Sequence, residues 1–165
     1  MDQAEMKADL IEVTVSGTFK TEHVFNVQEG ILGTLTIKGS KGEGKFLGAD
    51  ESTLDFKKPS IWKDRYEFLD GNDTIGNAHT QKKLKRAYQI DLSGEIYALA
   101  PGGSKLRSWM LQNDRGQGIC EVLPRGGLKR GAYIKIGSDI PLKLLVFVYC
   151  LVTKRWKEES AAAAA

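Results

Sequence analysis

The chain predicts a mainly β fold of the α+β type: about twelve antiparallel strands closed into a barrel around one hydrophobic C-terminal helix. Three observations lead there. Short segments alternate apolar and polar residues with a period of two, and turn residues, among them 18 glycines in 165 residues, separate them. Nine apolar residues, Leu144 to Val152, then run without a break. A helix apolar on every face has to be enclosed, since a surface helix shows only a stripe. Closing the sheet removes its exposed edges, and a helix fills a lumen too wide for strand side chains alone.

In chain order, residues 1–9 read as a disordered or briefly helical N-terminus, and residues 10–159 as a single barrel domain. In the first strand Ile11, Val13 and Val15 form an apolar row against Leu10, Glu12 and Thr14. Strands follow at Val24–Val27, Ile31–Lys38, Lys45–Leu47, Thr53–Lys57, Arg65–Leu69 and Thr74–His79. Further strands are expected at Leu84–Leu92, Glu95–Leu99, Leu106–Gln112, Gly118–Leu123 and Gly131–Ile136. A weak repeat marks three of the turns: Glu29-Gly30-Ile31-Leu32-Gly33, Asp73-Thr74-Ile75-Gly76 and Gly116-Gln117-Gly118-Ile119. Gly33, Gly76 and Gly118 stand 43 and 42 residues apart, the size of a propeller blade. A propeller needs at least four blades and has no place for an apolar helix, so the repeat reads as recurrent hairpins with glycine where the backbone bends.

The helix is expected at about 139–157, with Ser138-Asp139 as caps, Pro141 near its first position, and Lys154, Arg155 and Lys157 in its last turns, where cations suit the helix dipole. Residues 160–165 read as an uninformative tail. The thirteen residues from Ile140 to Val152 span roughly 20 Å, short of a hydrocarbon core of about 30 Å. That favours a core helix over a membrane span. A curved sheet gripping the helix across one face, as in START-like folds, is the rival, but it needs an amphipathic final helix and early helices.

Taken together, the chain resembles the tubby C-terminal-like superfamily: tubby, the phospholipid scramblases and the LURP-one-related proteins. The features that carry the likeness are the Gly30–Gly33 and Asp114–Gly118 hairpin turns, the Trp62–Phe68 strand entry, the Arg86–Ile90 strand and the apolar C-terminal helix. The compact scramblase-like and LURP-one-like members are the most similar, over roughly residues 10–157. The resemblance implies a twelve-stranded barrel around a central helix, and functions that range from phosphoinositide binding to proposed lipid scrambling.

Composition excludes more than it assigns. Hydrophobic content of 41%, charged content of 27% and a net charge of +3 describe an ordinary soluble domain and do not call for nucleic acid. Cys120 and Cys150 lie far apart among apolar residues, as buried free thiols of a reducing compartment would. No secretory signal pattern appears at the N-terminus, so a cytoplasmic protein is expected, peripheral to membranes if it binds them. His23 and His79 have no ligand or carboxylate spacing around them and are expected at exposed strand positions. Asp70-Gly71-Asn72-Asp73 has the acidic spacing of a calcium loop but lacks its frame and reads as a hairpin turn. No cofactor, metal or catalytic constellation is expected, and the chain reads as a non-enzyme.

One feature rises above background: Lys82, Lys83, Lys85 and Arg86, four cations within five residues. Arg125, Lys129 and Arg130 add to that patch if the fold brings them near. Such a patch suits an inositol phosphate headgroup or another anionic phospholipid at a membrane surface. Four cations supply about 4 kcal/mol, only about millimolar binding, unless geometry makes them converge. The alternatives are a solvated strand face whose lysines block edge aggregation, and a protein-interaction or scaffold domain with no lipid role.

Overall fold

The computed structural model describes residues 9–39, 42–59, 65–81, 87–102, 107–126 and 128–164. Twelve strands appear where the alternation places them: β1 (Leu10–Ser16), β2 (Lys20–Val27), β3 (Gly30–Lys38), β4 (Glu43–Gly48), β5 (Thr53–Lys57) and β6 (Arg65–Asp70), then β7 (Asp73–Thr80), β8 (Tyr88–Leu92), β9 (Glu95–Pro101), β10 (Trp109–Asn113), β11 (Gly118–Pro124) and β12 (Gly131–Ile136). Each pairs antiparallel with its sequence neighbours, and β1 closes on β12, so the sheet has no free edge. The expected start of β8 at Leu84 and of β10 at Leu106 fall outside the described residues.

The period of two decides which side chains face the lumen. Ile11, Val13, Phe25, Leu35, Phe46, Leu54, Phe56, Tyr66 and Phe68 are buried, as are Ile90, Leu99, Leu111, Val122 and Ile134 further on, while their strand neighbours are half-buried or exposed. Val15, expected in that row, is only half-buried because it lies at the open mouth. Through the lumen runs α1 (Leu142–Ala164), whose residues Leu144–Val152 are each at most 2% exposed. The nine-residue apolar run is therefore sheathed in β-sheet. Among the described residues no helix is long and apolar enough to cross a membrane. Phe147 shows the packing: its ring stacks on Phe68, with centroids 4.7 Å apart and planes 5° from parallel, and meets Phe56 edge-on at 5.7 Å.

The helix differs from its expected frame at both ends. It starts at Leu142, and the carbonyl of Pro141 accepts the first helical bond, from Leu145 N–H at 3.2 Å; Ser138 and Asp139 lie before that position and are not its caps. At the other end it continues through Ala161–Ala164, so Lys154, Arg155 and Lys157 stand in its middle and no basic residue occupies its last turn. Alanine is the strongest helix former, so the run after Ser160 prolongs the helix instead of ending it.

The weak repeat corresponds to three β-bulges. Register slips by one residue at Phe25/Asn26 opposite Leu32, at Phe68/Leu69 opposite Ile75, and at Leu111/Gln112 opposite Ile119. In each case the carbonyl of the extra residue accepts a backbone N–H from beyond the end of a later strand: Ala49 at 2.9 Å, Ser93 at 2.8 Å and Gly137 at 2.8 Å. An otherwise orphaned group is satisfied three times in the same way. The barrel is thus three four-stranded units, and in two of them the glycine after the extra residue, Gly33 or Gly76, is a packing requirement, while Cys120 takes that place in the third. At Gly33 a side chain would meet the Phe46 ring and lie 2.6 Å from the Leu47 carbonyl oxygen.

Because strand direction alternates, the barrel has two unlike rims. The β2–β3, β4–β5, β6–β7, β8–β9 and β10–β11 turns share one rim with the start of α1, where Lys143 Nζ sits 2.7 Å from Asp70 Oδ2. Asp70-Gly71-Asn72-Asp73 is there a two-residue hairpin turn with Gly71 at φ 63°, as its composition predicts. The other connections form the opposite rim, and there the second half of α1 emerges.

Candidate functional site

On that second rim, between α1 and the β1–β2, β3–β4, β9–β10 and β11–β12 connections, a cavity of about 670 Å³ opens to solvent. Among the described residues six cations line it, Arg107, Arg125, Lys129, Arg130, Lys154 and Lys157, against one carboxylate, Glu158. They come from three stretches of sequence: the entry to β10, the β11–β12 loop and the middle of the helix. Lys154 and Lys157 occupy one helix face because residues three apart neighbour each other there.

Several of these cations are held in place. Arg125 Nη2 lies 3.1 Å from Glu12 Oε1 on β1, and its Nη1 donates to the Arg130 carbonyl at 3.0 Å. Arg130 Nη1 donates to the Gly17 carbonyl at 2.6 Å, tying the β11–β12 loop to the β1–β2 turn without neutralising its charge. Arg107, at φ 66°, is clamped to the helix: Trp156 Nε1 donates to its carbonyl at 2.8 Å, and its Nη2 donates back to the Trp156 carbonyl at 3.3 Å. Its Nε is 3.7 Å from Glu159 Oε2, and Glu158 pairs with Arg155 at 3.3 Å. Lys154 Nζ sits 5.1 Å over the Tyr66 ring. Glu12 and Glu159 thus offset Arg125 and Arg107, while Lys129, Arg130 and Lys157 enter no ion pair among the described residues.

The floor is polar and neutral. His23 is 6% exposed, which corrects the exposed position expected for it. Val24 faces outward and Phe25 lies in the core, so the two-residue period carries His23 inward with Phe25. Its Nδ1 is 2.6 Å from Tyr149 Oη and its Nε2 is 2.9 Å from Thr21 Oγ1. We assign Tyr149 as donor to Nδ1 and Nε2–H as donor to Thr21. Burial, and then the nearby Arg130 charge, lower the His23 pKa to about 4, so the ring is neutral at physiological pH. Burial pushes the Tyr149 hydroxyl and the Cys150 thiol far up, and Cys120 up to about 12, so both cysteines are buried, protonated thiols. His79 is exposed, as expected.

Of the basic residues singled out by sequence, Arg125, Lys129 and Arg130 converge in the cavity wall. Lys82, Lys83, Lys85 and Arg86 lie outside the described residues; the residues that bracket them, Gln81 and Ala87, pair on the same rim through a 2.9 Å backbone bond. The sequence reading missed Arg107, Lys154 and Lys157. Lys154 and Lys157 read there only as cations that suit a helix end, and Arg107 follows a loop with no distinctive pattern. Among the described residues no group of three or more His, Cys, Asp or Glu side chains is placed to hold a metal ion.

No protein-family model matches the chain, and no curated protein matches it in sequence. An X-ray structure of a protein from Arabidopsis thaliana is similar in fold, with a TM-score of 0.63 at 10% identity, over 93% of this chain and 95% of that one. That likeness concerns the fold alone.

Proposed function

We propose that this barrel is a non-enzymatic binding domain that takes an anionic phospholipid or phosphoinositide headgroup into its basic rim cavity, as a member of the tubby C-terminal-like superfamily of the scramblase or LURP-one-related type. One observation carries the reading: among the described residues, six cations from three separate segments line a single cavity against one carboxylate. The volume of about 670 Å³ falls in the range of small-molecule sites, and arginine and lysine recognise phosphate as a fork and a point charge. The floor supports binding rather than chemistry, because Tyr149 and Cys150 are held protonated and His23 already bonds on both ring nitrogens.

Co-sedimentation with vesicles tests this, using phosphatidylcholine alone or with a phosphoinositide, at low and physiological salt. We expect phosphoinositide-dependent pelleting that weakens with salt and falls at least tenfold in the Lys129/Arg130/Lys154/Lys157→Ala variant. A Lys82/Lys83/Lys85/Arg86→Ala variant run beside it apportions binding between the two basic segments. If the parent binds neither vesicles nor a soluble inositol polyphosphate at low salt, the headgroup reading is wrong and a protein partner becomes the better hypothesis.

A further inference from the structure

The rim carries a second signal that the cations do not explain. Phe19 is 92% exposed and Leu128 fully exposed, whereas the other exposed large hydrophobics among the described residues, Leu10, Ile31, Leu47 and Ile96, are 39–57% exposed. Scattered, half-exposed apolar residues are ordinary on any protein. A phenylalanine and a leucine standing almost wholly in water, both on one rim, are not.

Their positions are specific. Phe19 follows Thr18 in the β1–β2 connection, and Leu128 precedes Lys129 in the β11–β12 loop; Thr18 and Lys129 both line the cavity. The two connections are neighbours because β1 pairs with β12, and the Arg130–Gly17 hydrogen bond joins them. The Phe19 carbonyl accepts Gly39 N–H at 3.2 Å, so that tip is anchored to β3 as well. Two apolar tips therefore flank the mouth of a cationic cavity on a tied frame.

We infer that this rim docks on an anionic bilayer with Phe19 and Leu128 inserted into the boundary between headgroups and acyl chains. The occupant is a lipid surface because the tips adjoin a concentration of positive charge, the arrangement by which interfacial binders combine apolar insertion with attraction to anionic lipid. The magnitudes fit as well. A handful of lining cations at about 1 kcal/mol each gives only about millimolar attraction to such a surface. Two apolar side chains contributing about tenfold each bring that to about ten micromolar. This inference rests on the headgroup reading and adds orientation and depth to it.

The test uses the full chain on vesicles containing a phosphoinositide at physiological salt, with a soluble inositol polyphosphate titrated in parallel. We expect Phe19→Ser/Leu128→Ser to lose vesicle affinity by ten- to a hundredfold while keeping its inositol polyphosphate affinity. Since Cys120 and Cys150 are buried, Leu128→Cys accepts a fluorophore selectively. Its emission should shift to the blue on vesicle binding and be quenched by lipids brominated near the top of the acyl chain. Insertion is overturned, with the headgroup reading intact, if the double variant pellets like the parent or if the bound label neither shifts nor is quenched. It is also overturned if the parent binds the soluble polyphosphate but no vesicle. Binding to neither removes both ideas together.

Discussion

The two halves of the helix occupy different worlds. From Leu144 to Val152 it is buried within the barrel, with Tyr149 and Cys150 reaching the cavity floor, whereas from Thr153 onward it stands beside the open cavity, with exposed residues on its outer face. The rims differ in the same sense. Beside the helix start the described turn residues are mainly acidic, Glu29, Asp50, Glu51, Asp114 and Asp139 against Arg115; beside its exit they are basic, Lys58, Arg107, Arg125, Lys129 and Arg130. Short, tight turns close one end, and the cavity opens at the other. The lesson is a division of labour: the clamped half supplies stability, and the open half is at liberty to carry charge that a packed core would not tolerate.

That contrast is broken most sharply inside the clamp. Phe147→Ala removes a ring stacked on Phe68 and set edge-on to Phe56, and it should cost about 3–5 kcal/mol, read as a lower denaturant midpoint at unchanged m. The corresponding change in the open half, Lys129→Ala, should leave stability within about 0.5 kcal/mol while weakening vesicle binding. Equal destabilisation by both would erase the distinction.

Acid should find the seam between the halves at His23. Its folded-state pKa of about 4 lies below the ordinary histidine value of 6.5, so the unfolded chain binds the proton more readily. Stability is then fully present above pH 6.5 and falls as pH drops from 6.5 through 4, by about 3 kcal/mol for this group. Denaturant titrations across that window should show the slope, and His23→Gln, which does not titrate, should flatten it.

Smaller effects belong to the tightly turned rim. Gly33→Ala forces a side chain against Phe46 and the Leu47 carbonyl, and about 1–3 kcal/mol of destabilisation is expected in thermal melts. Lys143→Ala breaks a partly exposed ion pair with Asp70, 38% and 42% exposed, and should cost under about 1 kcal/mol, less still in high salt. A much larger loss at Lys143 would mean that the rim, and not the packed lumen, holds the helix.

Much of this was legible in the chain. Strand positions follow from alternation, since a pleated strand sends successive side chains to opposite faces, and the enclosed helix follows from nine apolar residues with no polar face. The triple glycine turn is the visible trace of three bulges. His23 was legible too, because it shares Phe25's parity, but a lone histidine in a short strand reads as surface until its burial is seen. The helix ended later than its cations suggested because alanines carry no stop signal.

What the sequence by itself determined is therefore local: which residues are strand or helix, and which side chains face inward. Alternation and apolar periodicity are properties of neighbouring residues, so they can be read without the fold. Which cations meet was decided only by tertiary structure. Arg130 and Gly17 are 113 residues apart and touch because β1 closes on β12; Lys154 and Lys157 join Arg107, Arg125 and Lys129 because the helix passes through the lumen and leaves by that rim. Period fixes in or out, but position around the barrel and choice of rim come from closure, and closure is a contact between the two ends of the sheet.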